Sequence, residues 1–490
     1  MRAVFHVALG ALLALYVGFF IVKCVQDIRC PCALDYGEGL LLSQAQRLSE
    51  GQNLYNDYTH YPFVFSNYPP VFVSLAAIGV KFFGVSFAFG RFLAFAAALG
   101  VAAMMVVLAR RCGAGLAPAL AAPAFFLSAM WVTFWSGLMR VDTLALLLSM
   151  GVLSCVLRRG KWLILAAVLM VMASYTKQST IAALATGCAY LWWIGERRNA
   201  ALLAGSWAAG VAAVFVVFQI STNGWFYRHV VTANVHPWYA DRMWYLLRST
   251  LELWPVIIVM ALASAVALLV SRTPDENSLD AERHAHHGER LLVPYLGISV
   301  AFALTGGKVG ASINYMIEPL AAACLVGALG YGRLIATPPS RVARACWIVV
   351  VAALSWQAIR MWHPPSDWTG PREAALQGAQ AVTQMIEKTP GDIIGEPSGV
   401  IVLAGRPLLL DTATASHLSL SGRWDATPLL RDIRRRRFGL IFMTCEARDA
   451  RPEHGLYGSR WSEAMMQAIL ANYRDAGRSG DLCYLVPRDR

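Results

Sequence analysis

Charge is what this sequence has least of. Of its 490 residues, 15% are charged and 57% hydrophobic, where soluble domains carry about a quarter charged. That balance excludes one large soluble core and puts the membrane class first. There is no internal repeat, although transporter folds are commonly built from repeat halves, and no glycine-rich loop that would cradle a nucleotide phosphate. The formal charge is +12, yet no basic stripe is interleaved with aromatics, which excludes nucleic acid as a partner. The ten cysteines show no zinc-site spacing, "CPC" at 30–32 included. Cys112, Cys155, Cys188, Cys324 and Cys346 lie in or beside apolar runs and read as small hydrophobes. Cys24, Cys30 and Cys32 follow the first run, and Cys445 and Cys483 stand near the C-terminus. Disulfides are open to these five in an oxidising compartment, but spacing does not fix their pairing. No small-residue cleavage site follows the apolar run that ends at Val22, so an uncleaved signal-anchor is expected.

What the chain does have is apolar runs of about twenty residues, punctuated by short basic clusters. Arg110-Arg111, Arg158-Arg159 with Lys161, Arg197-Arg198, the 271–290 connection, and Arg333 with Arg341 and Arg344 are the clusters. Placing them all in the cytoplasm satisfies the positive-inside rule. Residues 162–194 carry inside-type charge at both ends and would make a single helix of about 50 Å, too long for a hydrocarbon core of about 30 Å. They therefore fold as a hairpin with Lys177 and Gln178 at its outer tip; the same reasoning puts Arg140 and Asp142 at the tip of 112–157. Spans are expected near 4–22, 87–109, 115–135, 138–157, 161–176, 178–195, 199–219, 253–270, 291–305, 312–331 and 342–360. Parity makes 70–83 a re-entrant or interfacial helix. The N-terminus is then cytoplasmic, and a long first loop, 23–86, faces outward.

Residues 361–490 have ordinary charge density and form a second region, expected as a small extracytoplasmic α/β domain beyond a 1–360 transmembrane domain. "REAALQGAQAVTQMIEK", "TPLLRDIRRRR" and "SEAMMQAILANYR" read as helices; "DIIGE", "RPLLLD", "FGLIFMT" and "DLCYLVP" read as strands. Arg434–Arg437 reads as a helix C-terminus, favoured there by the dipole. The 271–290 connection reads as a solvated linker, with His284, His286 and His287 as weak metal candidates.

Asp35 and Glu38, in "DYGEG" at 35–39, open the amphipathic stretch that follows the first span. Two compatible readings stand. They form a capping box, Asp at the N-cap and Glu at N3, or they are an enzyme's working carboxylates held in place by that cap. The outer face also collects Arg140, Asp142, Lys177, Gln178, Arg228, His229, His236, Lys308, Asn314, Tyr315 and Glu318. Ionisable groups at membrane depth are costly and usually line a pathway or site. Seven of them have a plainer alternative: an Arg140–Asp142 ion pair at the hairpin tip, snorkelling of Lys177 and Lys308, a hydrogen bond for Glu318 within the bundle, and a positional role for His229 and His236 beside an interfacial aromatic segment. Carboxylates among cations suit group transfer from a lipid phosphate. A carboxylate takes the attacking hydroxyl's proton, and cations, with or without a divalent metal (Mg or Mn), meet the charge on the departing phosphate.

These residues resemble the integral-membrane GT-C glycosyltransferases, close to aminoarabinose transferases and protein O-mannosyltransferases, and more particularly the bacterial RgtA/B/C/D-like group. The resemblance spans the chain through "DYGEG", "YPPVF" at 68–72, "RVDTLALLL" at 140–148, "YTKQS" at 175–179, "GASINYMIEPL" at 310–320, "LAGRPLLLD" at 403–411 and "GRWDATPLL" at 422–430. It implies a polytopic helical GT-C-like fold in a bacterial plasma membrane, to which the threading above gives about eleven spans. It also implies inverting sugar transfer from a polyprenyl-phosphate carrier to a glycan, lipid or protein hydroxyl. The family's first-loop acid falls on Asp35 as general base, with Glu38 as companion. Arg140, Asp142, Lys177, Gln178, Lys308, Asn314 and Tyr315 are the substrate-binding candidates, Lys177 and Lys308 for the lipid phosphate. Aminoarabinose transferases carry a metal-holding acid just before their Pro-Pro pair. Ser66, Asn67 and Tyr68 stand there in this chain, which leaves Asp57 or Glu38 to substitute and a metal in question. The rival function is a transporter or lipid-linked-sugar flippase, which would place an enclosed polar cavity at mid-depth.

Overall fold

The computed structural model describes residues 2–270, 280–338, 340–361, 366–458 and 460–489. Helices form where the apolar runs stand, because a backbone in hydrocarbon must satisfy its polar groups internally. Helix α1 (Arg2–Arg29) is followed by α2 (Tyr36–Ser49) and α3 (Pro70–Phe83) in the first long loop. Then come α4 (Ala88–Arg111), α5 (Leu116–Ser128), α6 (Met130–Ser136), α7 (Asp142–Arg158), α8 (Trp162–Ser174), α9 (Ala182–Trp193) and α10 (Arg197–Ser221). The rest of the bundle is α11 (Trp225–Val230), α12 (Ala240–Leu253), α13 (Pro255–Val270), α14 (Asp280–Ala303), α15 (Ile317–Ala336) and α16 (Arg341–Arg360).

The chain is a multi-pass membrane protein, and each expected span overlaps a helix, but 115–135 is broken between α5 and α6, and fewer of the described helices than the eleven expected spans are long enough to cross. By length and apolar composition, six of the described helices can cross a membrane, or eight if the bent pairs α5–α6 (71°) and α12–α13 (90°) each make one span. Helices α7, α8 and α9, with 17, 13 and 12 residues, are shorter than a full crossing of about 20 residues. Helices α8 and α9 each pack on α7 and on α10 rather than closely on each other, and the turn between them carries Lys177 and Gln178, as the hairpin reading expects. Helix α1 runs past Val22 to Arg29 because Lys23 and Asp27, one turn apart, pair with each other in a buried setting.

The tail holds α17 (Ser366–Lys388), β1 (Asp392–Gly395), α18 (Ser398–Leu403), α19 (Thr412–Leu420), α20 (Thr427–Arg434), β2 (Phe438–Thr444), α21 (Cys445–Asp449), β3 (Leu456–Tyr457), β4 (Trp461–Ser462), α22 (Glu463–Asn472), β5 (Tyr473–Ser479) and β6 (Leu482–Pro487). Its sheet runs β1-β2-β6-β5, with β1 parallel to β2 and the other pairs antiparallel. A Cys445–Cys483 disulfide ties the end of β2 to β6. Residues 473–474, expected at the end of a helix, begin β5, an edge strand whose mostly exposed polar residues give no apolar alternation. "RPLLLD", expected as a strand of this sheet, pairs elsewhere. Leu410 bridges Phe63 of the first loop, with Phe63 N donating to Leu409 O (2.8 Å) and Asp411 N to Phe63 O (2.9 Å). Arg437, at the end of the basic run after α20, pairs with Asp432 (2.7 Å) and Asp392 (2.6 Å).

Two of the three apolar cores join the first loop to the tail. Leu41, Leu42, Phe72 and Val73 pack with Val400, Ile401 and Ile386; Tyr58, Phe63 and Phe65 pack with Trp424, Leu429 and Ile441. Of the linker, 271–279 lies outside the described residues and the remainder opens α14; the side chains of His284, His286 and His287 also lie outside them.

Candidate functional site

Asp35 has extended backbone and caps α2, accepting from Gly37 N at 2.9 Å, while the Glu38 carboxylate reaches back to Asp35 N (3.3 Å) and Leu34 N (2.7 Å). The capping box therefore forms as its residue types dictate. Glu38 goes further into the bundle. Arg91 Nε donates to its Oε1 and Nη2 to its Oε2, both at 2.7 Å, and Met139 N donates to Oε1 at 2.8 Å. Both side chains of this pair are 0% exposed, so Glu38 is committed to a buried two-pronged ion pair and does not meet the cavity beside Asp35. The glycines of "DYGEG" are close approaches. A Cβ on Gly37 would sit 1.6 Å from Arg140 Nη1, and one on Gly39 would sit 2.1 Å from Gly399 N of the tail. The first loop thus admits a guanidinium on one side and the tail backbone on the other.

Arg140 and Asp142 do not pair with each other. Arg140 Nη1 stands 3.3 Å from Asp35 Oδ2, its guanidinium over the Trp135 ring at 4.7 Å. Asp142 Oδ1 accepts from Lys177 Nζ and from Asn314 Nδ2, each at 2.7 Å. Residues two apart at a helix entrance face different sides, so each takes its partner from another segment.

These segments enclose a cavity of about 290 Å³ among the loops and the tail. Arg140, Lys177, Arg242, Lys308 and Arg460 line it, and no carboxylate does among the described residues. The acids stand behind: Asp35 on Arg140, Asp142 on Lys177, and Glu396 on Arg460 at 3.3 Å. Gln178, Asn314 and Tyr315 complete the same wall, with Lys177 Nζ 4.7 Å and Lys308 Nζ 5.7 Å from the Tyr315 ring centre. Gln44 Oε1, Asn67 Oδ1, Arg140 Nε and Asn314 Oδ1, all on lining residues, are buried without a hydrogen-bond partner among the described residues. Buried polar atoms are ordinarily satisfied, so four such atoms on residues of one wall set it apart from the rest of the interior. Asp142 also lines a smaller adjoining space with Glu318, and Glu318 accepts from Tyr295 OH at 2.9 Å.

The tail supplies part of the wall through Ala413, Thr414, His417 and Arg460. Tyr36 OH donates to Asp411 Oδ1 (3.0 Å) and accepts from Ala413 N (3.1 Å); Asn67 Nδ2 donates to Thr414 Oγ1 (3.1 Å). Asp411 caps α19 through Thr414 N, and burial pushes its carboxyl above the usual carboxylate range. Arg460 lies over the Tyr36 ring at 4.6 Å.

His229 is buried: Ser66 N donates to its Nδ1 (2.9 Å), and Nε2 meets Asn56 O (2.8 Å). Nδ1 is thereby an acceptor, which fixes the neutral ring with its proton on Nε2. Burial pushes His229 down to about 4. His236, on the cavity, is pushed to about 4 by burial and then by His417, Lys308 and Arg423. Unfolded histidine titrates near 6.5, so between about 6.5 and about 4 the unfolded chain binds more protons. Stability therefore falls as pH drops through that window, by up to about 1.4 kcal/mol per pH unit for each ring. Thermal unfolding in detergent checks this: His229→Gln is expected to lose less stability on acidification than the natural chain, and equal slopes would exclude it.

The crystal structures of ArnT from Cupriavidus metallidurans share this architecture. The apo form superposes with a TM-score of 0.59 at 13% identity, over 98% of this chain and 98% of that one. The form bound to undecaprenyl phosphate gives 0.62 at 13% identity, over 96% and 97%. This chain has the GT-C fold. No family model and no curated protein matches it in sequence.

Within the GT-C fold the residues present do not suit a divalent cation at this cavity. Glu38 is taken up by Arg91. Asp57 accepts from Thr59 in an exposed turn. Asn67 offers one neutral oxygen amid cations. No group of three His, Cys, Asp or Glu side chains is placed for a metal among the described residues. Sequence reasoning missed Arg91, Arg242, Asp411 and Arg460. Arg91 was findable, being one charge in the apolar "FGRFLAF"; "GSRW" around Arg460 has no local signature.

Proposed function

We propose that the chain is a membrane glycosyltransferase. It moves a sugar, with inversion, from a polyprenyl-phosphate donor to an acceptor hydroxyl at the outer face of a bacterial plasma membrane. The observation that carries this is the cavity: cations from five separate segments converge on it, and three of them, Arg140, Lys177 and Arg460, are each paired with an acid beside the wall. A phosphate on a lipid tail is the occupant such a wall suits, and one GT-C structure similar to this chain holds undecaprenyl phosphate. A cavity among loops and tail favours chemistry at one face over passage at mid-depth.

Asp35 is the general base. Its side chain is 23% exposed, beside the Tyr36–Gly37 wall. It takes the acceptor hydroxyl's proton as that oxygen bonds to the anomeric carbon. The bond from that carbon to the phosphate oxygen breaks on the opposite side. Lys177, Lys308 and Arg140 hold the released lipid phosphate, and Asp142 and Asn314 keep Lys177 in place. The N-terminus is cytoplasmic and the tail extracytoplasmic, a placement supported by the basic clusters and by the Cys445–Cys483 disulfide.

Comparing surface glycans and lipid-linked sugars by mass spectrometry, with and without the gene, tests the function. Loss of one sugar from a glycan with a rise in its lipid-linked form is expected; two identical profiles would refute it. Lys308 has no carboxylate partner among the described residues, and Lys308→Met is expected to weaken polyprenyl-phosphate binding about tenfold, the scale of one charged hydrogen bond. Titration of the purified protein with undecaprenyl phosphate in detergent reads this directly, and unchanged affinity removes Lys308 from the phosphate site.

A further inference from the structure

"CPC" at 30–32 lies outside the cavity and has no part in the transfer chemistry. Cys30 Sγ and Cys32 Sγ stand 2.9 Å apart with both residues buried. Pro31 between them fixes its own φ in a turn that closes around Arg91. Arg91 Nη1 donates to Cys30 O (2.8 Å) and Nη2 to Cys32 O (2.7 Å), so the two carbonyls converge on one guanidinium. Ala33 lies against the tail, its Cβ within 2.9 Å of where a Cβ on Gly399 would stand. The turn therefore shares a compartment with the tail, and the tail carries the Cys445–Cys483 disulfide.

We propose that Cys30 and Cys32 form a second disulfide in the mature protein. Disulfides persist only where the compartment is oxidising. A chain whose tail pair is bonded there exposes this pair to the same oxidant as it folds. The chemistry is thiol–disulfide exchange with the disulfide of an exported thiol oxidoreductase. One cysteine thiolate attacks that disulfide, forming a mixed disulfide, and the other thiolate displaces the oxidoreductase sulfur. The two S–H bonds of Cys30 and Cys32 are replaced by one S–S bond, and the oxidoreductase takes up two electrons and two protons as its dithiol. Because both cysteines are buried in the finished fold, exchange precedes the packing of this turn on Arg91. The bond then closes a loop immediately before Asp35, bracing the first loop where it leaves the bundle.

Trypsin isolates the pair, since Arg29 and Arg47 flank "CPCALDYGEGLLLSQAQR". The full chain is purified from membranes without reductant, denatured in N-ethylmaleimide and digested. The 30–47 peptide is expected without maleimide and two hydrogen masses lighter than its dithiol form, and with two maleimides when reduction precedes labelling. One or two maleimides on the unreduced peptide overturn the proposal.

Discussion

Asp35→Asn protein is expected to reach the membrane folded and to transfer sugar about 10²–10⁴-fold more slowly, the range a positioned general base contributes. The substitution separates the two roles of this side chain. Asparagine caps a helix as well as aspartate does, so the bond to Gly37 N and the start of α2 survive. Arg140 keeps its place over Trp135. What disappears is the proton acceptor, together with the charge opposite Arg140. Initial rates per folded molecule, with thermal stability measured alongside, read the first loss apart from any unfolding. Asp35→Ala adds the cap loss, about 1 kcal/mol, and is expected to match Asp35→Asn in rate while melting lower. A fully active Asp35→Asn enzyme would leave Asp35 as a cap and return the search for the base to the other acids paired with the wall cations, Asp142 and Glu396.

The apolar segments were legible because apolar length and basic punctuation are local properties; the break of 115–135 into α5 and α6, and the shortness of α7, α8 and α9, were not. The cavity was half legible for a related reason. Charges on tight turns between spans stand where burial makes them costly, so Arg140, Lys177 and Lys308 announced themselves. Their partners did not. Arg140 and Asp142 are neighbours in sequence, yet each is claimed by a residue from another segment, Asp35 for one and Lys177 for the other. "RPLLLD" likewise carries a strand's composition but spends it on Phe63, more than three hundred residues away in the chain. The contribution of the tail to the wall, through Thr414 and Arg460, depends on a docking that no local pattern encodes.

Glu38 shows why position in a motif does not assign a role. Its sequence neighbour Asp35 stands beside the cavity, and its own carboxylate is turned inward by one helical step. The arrangement serves the site indirectly: α2 is held to α4 through Arg91, the 137–141 turn is held through Met139 N, and Arg140 follows on that turn. A substitution at Glu38 or Arg91 should therefore change how much enzyme is folded before it changes what each folded enzyme does.

Arg91→Met makes that distinction measurable. The guanidinium makes five hydrogen bonds: two to Glu38, and one each to Asp27 O (2.6 Å), Cys30 O (2.8 Å) and Cys32 O (2.7 Å). Methionine fills much of the volume and donates none of them. Glu38 is left as a buried carboxylate with only the backbone donors Leu34, Asp35 and Met139. Breaking a buried pair in this way costs about 3–5 kcal/mol, a large share of the roughly 5–15 kcal/mol that holds a domain folded. The expected result is a collapse of the monodisperse fraction in detergent and a sharply lower melting temperature. Adding Glu38→Gln to Arg91→Met removes the stranded charge while keeping a capping-box side chain. The double variant should therefore regain part of the loss, a coupling of about 0.5–3 kcal/mol between residues in direct contact. Whatever fraction folds should bind undecaprenyl phosphate normally, since neither residue meets the cavity. Arg91→Met protein that melts like the natural chain would show that the pair contributes nothing to stability. Normal folding with lost binding would instead put Glu38 back among the working carboxylates.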